Sequence, residues 1–313
     1  MGKYVLRRVG ISCITVLTII VILFCLLKLM PGSPFNNERL TAEQQEVLIS
    51  KYGLDEPLPK QIVTYVKNML TGDFGVSYAI QQNYPVAKMI ANRYPITIRI
   101  GLQAYFLGII LGLLLGIAAA LHHNGPVDTV TTVLAMLGNS IPSHVLALGF
   151  VYFLAYKARL FPLTFSSNDV FRSTILPTLA LSIGPMAMTA RFTRNEMIEV
   201  MDSEYILLAE TKGLGRLRIV GIHGLKNTLV SLITTLGPMV MMLLTGSTVA
   251  EEIFAIPGIG SLFINAIQTN DYNVVISLAF IFSVMYIGII LLIDILYGII
   301  DPRIRLAGGH RES

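Results

Sequence analysis

Residues 100–121 read IGLQAYFLGIILGLLLGIAAAL and contain no Asp, Glu, Lys or Arg. As a helix rising about 1.5 Å per residue, a run of this length crosses the hydrocarbon core of a bilayer. No water is available there to satisfy backbone N–H and C=O groups, so the run must be helical. Working outward, five more stretches lack those four residue types over comparable lengths: residues 9–27, 129–156, 173–190, 227–250 and 274–293. The composition agrees, because 54% hydrophobic and 13% charged residues in a chain of 313 are outside the range of an ordinary soluble domain. The expected fold is therefore an all-α integral membrane protein with six transmembrane helices.

Lysine and arginine near the ends of membrane helices mark the cytoplasmic side. Lys3, Arg7 and Arg8, the basic loop 191–226 and the tail residues Arg303, Arg305 and Arg311 fall on one side, while residues 251–273 contain no Lys or Arg. Both termini are thus expected in the cytoplasm, with the 122–126 turn beside them and residues 157–172 outside. The expected organisation is a cytoplasmic N-terminus at 1–8, a first helix at 9–30 and an extracytoplasmic cap at 31–96. A helical transmembrane core follows at 97–300 with a cytoplasmic loop at 191–226, and then a tail at 301–313. The cap is not low-complexity, since residues 41–52 and 61–70 carry helical apolar spacing between Pro and Gly breaks. The first apolar stretch is long and lacks a small-residue cleavage pattern, which argues for a retained anchor. A net charge of +4 from 23 basic and 19 acidic residues, with no dense basic run, fits membrane orientation and excludes a nucleic-acid partner. Cys13 and Cys25 lie inside the first apolar stretch and read as small hydrophobes without a disulfide.

The polar segment 203–226, SEYILLAETKGLGRLRIVGIHGLK, has its own helical pattern. Tyr205, Leu208 and Ala209 share one spacing, Gly213-Leu214-Gly215 breaks it, and Leu217, Val220 and Ile222 resume it. Neither piece is long enough to span a bilayer. With Lys212, Arg216, Arg218 and Lys226 the segment is basic, so it belongs in the cytoplasm. Two readings fit the periodicity equally: a docking surface for a partner, or an amphipathic loop in the headgroup layer.

Within the apolar stretches, Gly108, Gly112 and Gly116 repeat every four residues and clear one helix face for close packing. Pro142 with His144 interrupts the third stretch, and Gly184-Pro185 and Gly237-Pro238 interrupt the fourth and fifth. Such breaks mark either a pathway through the bundle or ordinary bending. Pro142, His144, Gly237 and Thr245 are the candidate pathway residues here. Residues 251–260, EEIFAIPGIG, offer a gate built from Glu251, Phe254, Pro257 and Gly258, or else acids solvated at a helix end. Asp294, near the end of the last stretch, reads as a structural tether rather than a proton relay.

Catalytic chemistry is missing from the sequence. No Gly-x-x-x-x-Gly-Lys-Ser/Thr loop is present to cradle a nucleotide, so energy must come from a partner. Histidines at 122, 123, 144, 223 and 310 form no His-Glu-x-x-His pattern, and the two cysteines form no metal-binding pair. Ser140 and Ser143 stand near His144 without a Gly-x-Ser-x-Gly elbow. No catalytic residue and no metal ligand is expected, and His144 reads as a polar residue hydrogen-bonded within the bundle.

The 203–226 segment resembles the signature loop of permease subunits of ATP-binding-cassette importers, which runs Glu-Ala-Ala, three residues, Gly, nine residues, Ile-x-Leu-Pro. Ala209 and Gly213 match and Leu225 falls on the Leu, whereas Leu207, Leu208, His223 and Lys226 depart from it. Glu204-Tyr205 and Ala209-Glu210-Thr211-Lys212-Gly213-Leu214 are similar to the peptide-permease version of that loop. The same branch is resembled at Pro31-Gly32-Ser33-Pro34, where Ser33 stands in place of the usual Asp, and at residues 52–58, 72–77, 251–260, 293–297 and 301–305. The resemblance implies a type I importer permease fold, with a folded external loop between the first two helices, that moves oligopeptides or dipeptides. It implies coupling to ATPases through Glu204, Tyr205, Ala209, Lys212, Gly213, Leu214, Arg216 and Leu225, with Ala209 and Gly213 allowing close approach. Implied partners are a second homologous permease, two ATPase subunits that hold ATP and magnesium, and an extracytoplasmic substrate-binding protein, all at a bacterial cell membrane and its lipid. The chain itself would bind no cofactor. Nickel or another small solute of the same branch is the alternative cargo. Outside the class, a membrane hydrolase or a channel would need no ATPase.

Overall fold

The computed structural model describes residues 2–29, 56–226, 228, 229, 232, 237, 239, 240 and 248–300. Apolar runs and Gly- or Pro-punctuated links yield helices almost throughout. In chain order these are α1 (Gly2–Leu29), α2 (Leu58–Leu70), α3 (Val86–Leu121), α4 (Pro126–Ser140), α5 (Ser143–Phe150), α6 (Val170–Met201), α7 (Glu204–Thr211), α8 (Arg216–Arg218), α9 (Thr248–Ile253), α10 (Ile259–Gln268) and α11 (Tyr272–Ile300). Two π-helical stretches, Val151–Lys157 and Ile219–Gly224, continue α5 and α8.

Among the described residues three helices are long and apolar enough to cross a membrane, namely Val86–Leu121, Val170–Met201 and Tyr272–Ile293, and the bent pair Pro126–Ser140 with Ser143–Lys157 makes up to 4. Six were expected. Of the other two stretches, the one at 9–27 lies within α1, where a shorter apolar helix runs Arg8–Ile22, and most of 227–250 falls outside the described residues. The third stretch is not one straight helix, because it bends by 98° at Ile141-Pro142. Proline supplies no N–H and disfavours helical geometry in the residue before it, and Ile141 is accordingly extended at ψ 120°. The expected interruption at Gly184-Pro185 does not occur, since α6 runs through both Pro177 and Pro185. Membrane helices tolerate proline where neighbouring helices pack against the site, and Pro185 is buried against Gly108.

The chain divides into two compact units, Met1–Ile96 with Pro257–Leu291, and Thr97–Ile256 with Leu292–Ser313. In the first, Phe24, Met69, Val86, Met89 and Ile90 share a core with Ile259, Leu262, Val274 and Leu278. Asp271, fully buried between α10 and α11, secures the segment that leads into α3. Its carboxylate accepts from the Ser77 hydroxyl and from the N–H groups of Tyr78, Ala79 and Ile80 at 3.0–3.1 Å. Asn273 Nδ2 donates to the Val76 carbonyl at 2.9 Å. The helix expected at 61–70 is part of α2, and the one at 41–52 lies outside the described residues.

In the second unit α3 and α6 approach backbone to backbone. A Cβ placed on Gly108, Gly112 or Gly116 would stand 2.7, 2.7 and 2.6 Å from the carbonyl oxygens of Ser182, Met186 and Ala190. The same three atoms would meet Pro185, Thr189 and Thr193, each at 2.6 Å from Cβ. A four-residue repeat on one helix therefore fits a four-residue repeat on the other, as small-residue seams do in lipid. On the opposite face of α3, Phe106, Ile110 and Leu114 remain exposed, as side chains facing lipid or another subunit would be.

Gly112→Val should strongly destabilise the chain, by roughly the 1–3 kcal/mol that overpacking costs, and lower its midpoint of unfolding in detergent. Gly149→Ala, at a helical position where an added Cβ meets nothing within 4 Å, should be neutral or mildly stabilising. Equal melting curves for Gly112→Val and the parent chain would contradict the seam.

Candidate functional site

The 203–226 segment forms two short helical pieces, as its periodicity predicts. Ser203, extended at ψ 151°, precedes α7, and Glu204 supplies an acid in the first turn, where the helix dipole favours it. Gly213 ends the piece with φ +75°. Its N–H donates to the Glu210 carbonyl at 2.8 Å, the Leu214 N–H donates to the Ala209 carbonyl at 3.2 Å, and Leu214 packs back on the cluster of Ile206, Ala209 and Ile219. These are the hydrogen bonds and apolar contact of a Schellman cap, in which a left-handed residue satisfies the last carbonyls of a helix. Gly215 then opens α8 and its π-helical continuation, and Leu225 follows half-buried.

Ile206, Ala209 and Ile219 form a small core that joins the two pieces. The Ala209 side chain is therefore turned inward, and its small size serves packing within this chain. An added Cβ on Gly213 would meet nothing within 4 Å, so this glycine is required for its backbone conformation and leaves open space beside it. Glu204, Tyr205, Lys212 and Arg216 are exposed on the outside of the segment. Gly224 seats the second piece on α6, where a Cβ would stand 3.3 Å from Met197 Cε and 3.5 Å from Met201 Sδ.

One turn before Met197, Arg194 reaches α4. Its Nε and Nη2 donate to the two Asp128 carboxylate oxygens at 2.6 and 2.8 Å, a bidentate pair. The Asp128 side chain is 5% exposed and that of Arg194 is 23% exposed. The Asn124 N–H adds a bond to Asp128 at 2.9 Å. Removing one partner of a buried pair typically costs about 3–5 kcal/mol, because the other charge is left uncompensated. Neither residue stood out in the sequence. Asp128 is only a charge at the edge of an apolar stretch, and its partner is 66 positions away.

The candidate gate residues divide between the units. In the second, Glu251 is buried at 4% exposure and accepts from Thr97 Oγ1 at 2.7 Å. A solvated carboxylate is thereby excluded for Glu251, while Glu252 is exposed. Phe254 is buried, and its carbonyl accepts from the Phe165 N–H at 2.8 Å. α9 ends as α7 does, with Ala255 N–H donating to Glu252 at 3.2 Å and Ile256 N–H to Glu251 at 2.8 Å. The left-handed residue here is Ala255, at φ +50°. Pro142 and His144 are exposed at the bend, so His144 is not enclosed in a bundle as expected. The 98° turn leaves the first turn of α5 uncovered. α5 itself packs on α6 and α9, which brings the bend near Glu251's helix. Gly237 lies close to the last helix, since a Cβ there would stand 2.5 Å from Ile293 Cδ1. Pro257 and Gly258 belong to the first unit, where Gly258 precedes α10. Thr245 lies outside the described residues, as do 31–34 and 301–305. Asp294 is within α11. Among the described residues no cluster of three or more His, Cys, Asp or Glu could hold a metal.

A family model described as binding-protein-dependent transport system inner membrane component matches residues 112–306, and its N-terminal companion matches 1–101. The chain belongs to this family of membrane permeases. It is a transport permease, not an enzyme. It is 44% identical over 306 residues to the dipeptide transport system permease protein DppB of Lactococcus lactis, covering 98% of this chain and 100% of that one. Against DppB of Bacillus subtilis the identity is 41% over 307 residues, with 98% and 99% covered. The oligopeptide transport system permease protein OppB of Escherichia coli is 38% identical over 306 residues, with 97% and 100% covered. A chain from inward-facing conformations of the MetNI methionine ABC transporter matches the fold with a TM-score of 0.55 at 15% identity, over 68% of this chain and 97% of that chain.

The two caps give an expectation with opposite signs. Gly213→Val forces a side chain into the left-handed region and should cost about 1–2 kcal/mol, whereas Ala255→Gly should relieve strain of similar origin and raise the unfolding midpoint. Thermal unfolding of the purified membrane protein reads both, and a destabilised Ala255→Gly would count against the second cap.

Proposed function

We propose that this chain is one permease subunit of an ATP-binding-cassette importer that carries dipeptides or oligopeptides into the cytoplasm. The observation that carries the reading is end-to-end similarity to dipeptide and oligopeptide permeases, joined to a capped segment that displays Glu204, Tyr205, Lys212 and Arg216. In this reading residues 203–226 face the cytoplasm and dock on an ATPase subunit. Two such subunits hold ATP and magnesium, a second permease completes the pathway, and an extracytoplasmic binding protein delivers the peptide. The chain crosses a bacterial cell membrane six times with both termini inside, and 31–96 caps it outside.

The mechanism follows from how the segment is mounted. Its second piece rests through Gly224 on Met197 and Met201 of α6, so force applied by the ATPase to Lys212, Arg216 and the exposed edge of α7 is delivered to that helix. α6 is held to α3 along the glycine seam, so the two helices move together. The gate in this reading lies at Glu251 and Phe254, with Pro257 and Gly258 following. Burial of the Glu251 carboxylate against Thr97 gives it one defined position, which a change of access would have to alter.

Proteoliposomes holding the complete complex should accumulate labelled dipeptides or oligopeptides when supplied with ATP and binding protein. Gly213→Trp should abolish uptake while the assembled complex continues to hydrolyse ATP. Entry of nickel in place of peptide would overturn the cargo, and undiminished uptake by Gly213→Trp would overturn the coupling segment.

A further inference from the structure

We infer that the Asp128–Arg194 pair is the clamp that makes α4 follow the coupling segment, so that these are positioning residues for transport. The inference rests on the proposed function for what the segment is coupled to. Its physical content is the juxtaposition of four features in one unit: the seat of Gly224 on Met197 and Met201, the ion pair one turn away, the bend at Ile141-Pro142, and the packing of α5 on α9.

α4 has one packed side. Asp128, Thr131 and Ala135 are buried, whereas Val130, Val133, Leu134, Met136 and Leu137 are exposed. Its buried side meets α6, and near its far end a Cβ on Gly138 would stand 3.0 Å from Ile183 and 3.2 Å from Ala187. Apolar contacts of that kind permit sliding along the helix axis. The fork of Arg194 on both oxygens of Asp128 does not, because two parallel charge-assisted bonds fix direction as well as distance. Beyond α4 the chain turns by 98° into α5, which packs on the helix that carries Glu251. A displacement of the α6 end is thereby passed to α4 at its beginning and reaches the Glu251 helix through α5.

A buried ion pair is weak evidence for stability, since replacing both partners can be neutral, and fixing register is its better-attested use. A clamp and a purely stabilising pair differ in what they predict. The test uses the complete complex in proteoliposomes with binding protein, and measures peptide imported per ATP hydrolysed together with stimulation of hydrolysis by loaded binding protein. Asp128→Asn should lower the ratio and the stimulation about tenfold, as loss of an ordinary allosteric coupling would, with basal hydrolysis and assembly retained. The exchange Asp128→Arg with Arg194→Asp should restore most of both. Parental ratio and stimulation in Asp128→Asn overturn the inference, as does an assembled exchange variant that remains uncoupled. If Asp128→Asn fails to assemble, the exchange variant decides, and its failure to assemble as well would mean that the pair serves folding alone. Should the parent complex import no peptide, the cargo reading falls, while the clamp is still decided by whether stimulation of hydrolysis is lost in Asp128→Asn and regained on exchange.

Discussion

Direct contact between the backbones of α3 and α6 governs the second unit. Three glycines at four-residue spacing let carbonyl oxygens of α6 occupy volume that any side chain would claim. Lipid tails are as apolar as leucine, so helices in a bilayer gain little from burying leucine and more from close van der Waals approach. The result is that α6 is the most enclosed of the long helices, with 67% of its apolar window buried against 28% for α3. Enclosure is what allows α6 to carry buried Thr174, Thr178, Ser182, Thr189 and Thr193, and to present Arg194, Met197 and Met201 at its end.

Among the described residues three carboxylates are buried, and each is treated differently. Asp128 is met by the fork of Arg194, Glu251 accepts from the Thr97 hydroxyl, and Asp271 draws on a hydroxyl and consecutive backbone N–H groups. A charged group taken from water must find such partners or lose its charge. The three solutions suit different tasks. Backbone donors at Asp271 hold a turn rigidly, whereas a bidentate pair between two helices joins elements that can otherwise slide.

Helix ends are equally economical. Gly72, Gly213, Ala255 and Asn270 each end an α-helix in the left-handed region and are followed by a backbone N–H that reaches back into it. Three of these are residue types that enter this region easily, and Ala255 is not. Strain at a non-glycine residue persists where surrounding structure enforces it, and here Ile256 and Phe254 on either side are both buried. The alanine thus sits beside the candidate gate, held by its neighbours.

The sequence by itself determined that the chain is helical and membrane-embedded, because long uncharged apolar runs have no other means of satisfying their backbone in lipid. It also determined where the 203–226 segment divides, since Gly213 and Gly215 punctuate a local pattern, and which face of α3 is bare. The similarity of its short motifs to importer permeases points to the same family whose model matches residues 112–306. Tertiary structure alone decided what Pro142 and Pro185 do, because whether a proline bends a helix depends on what packs beside it: a Gly108 notch at one, an uncovered turn at the other. It alone turned Ala209 inward and buried Glu251. It alone joined Asp128 to Arg194 and Asp271 to Ser77, pairings between residues far apart in the chain that no local periodicity encodes.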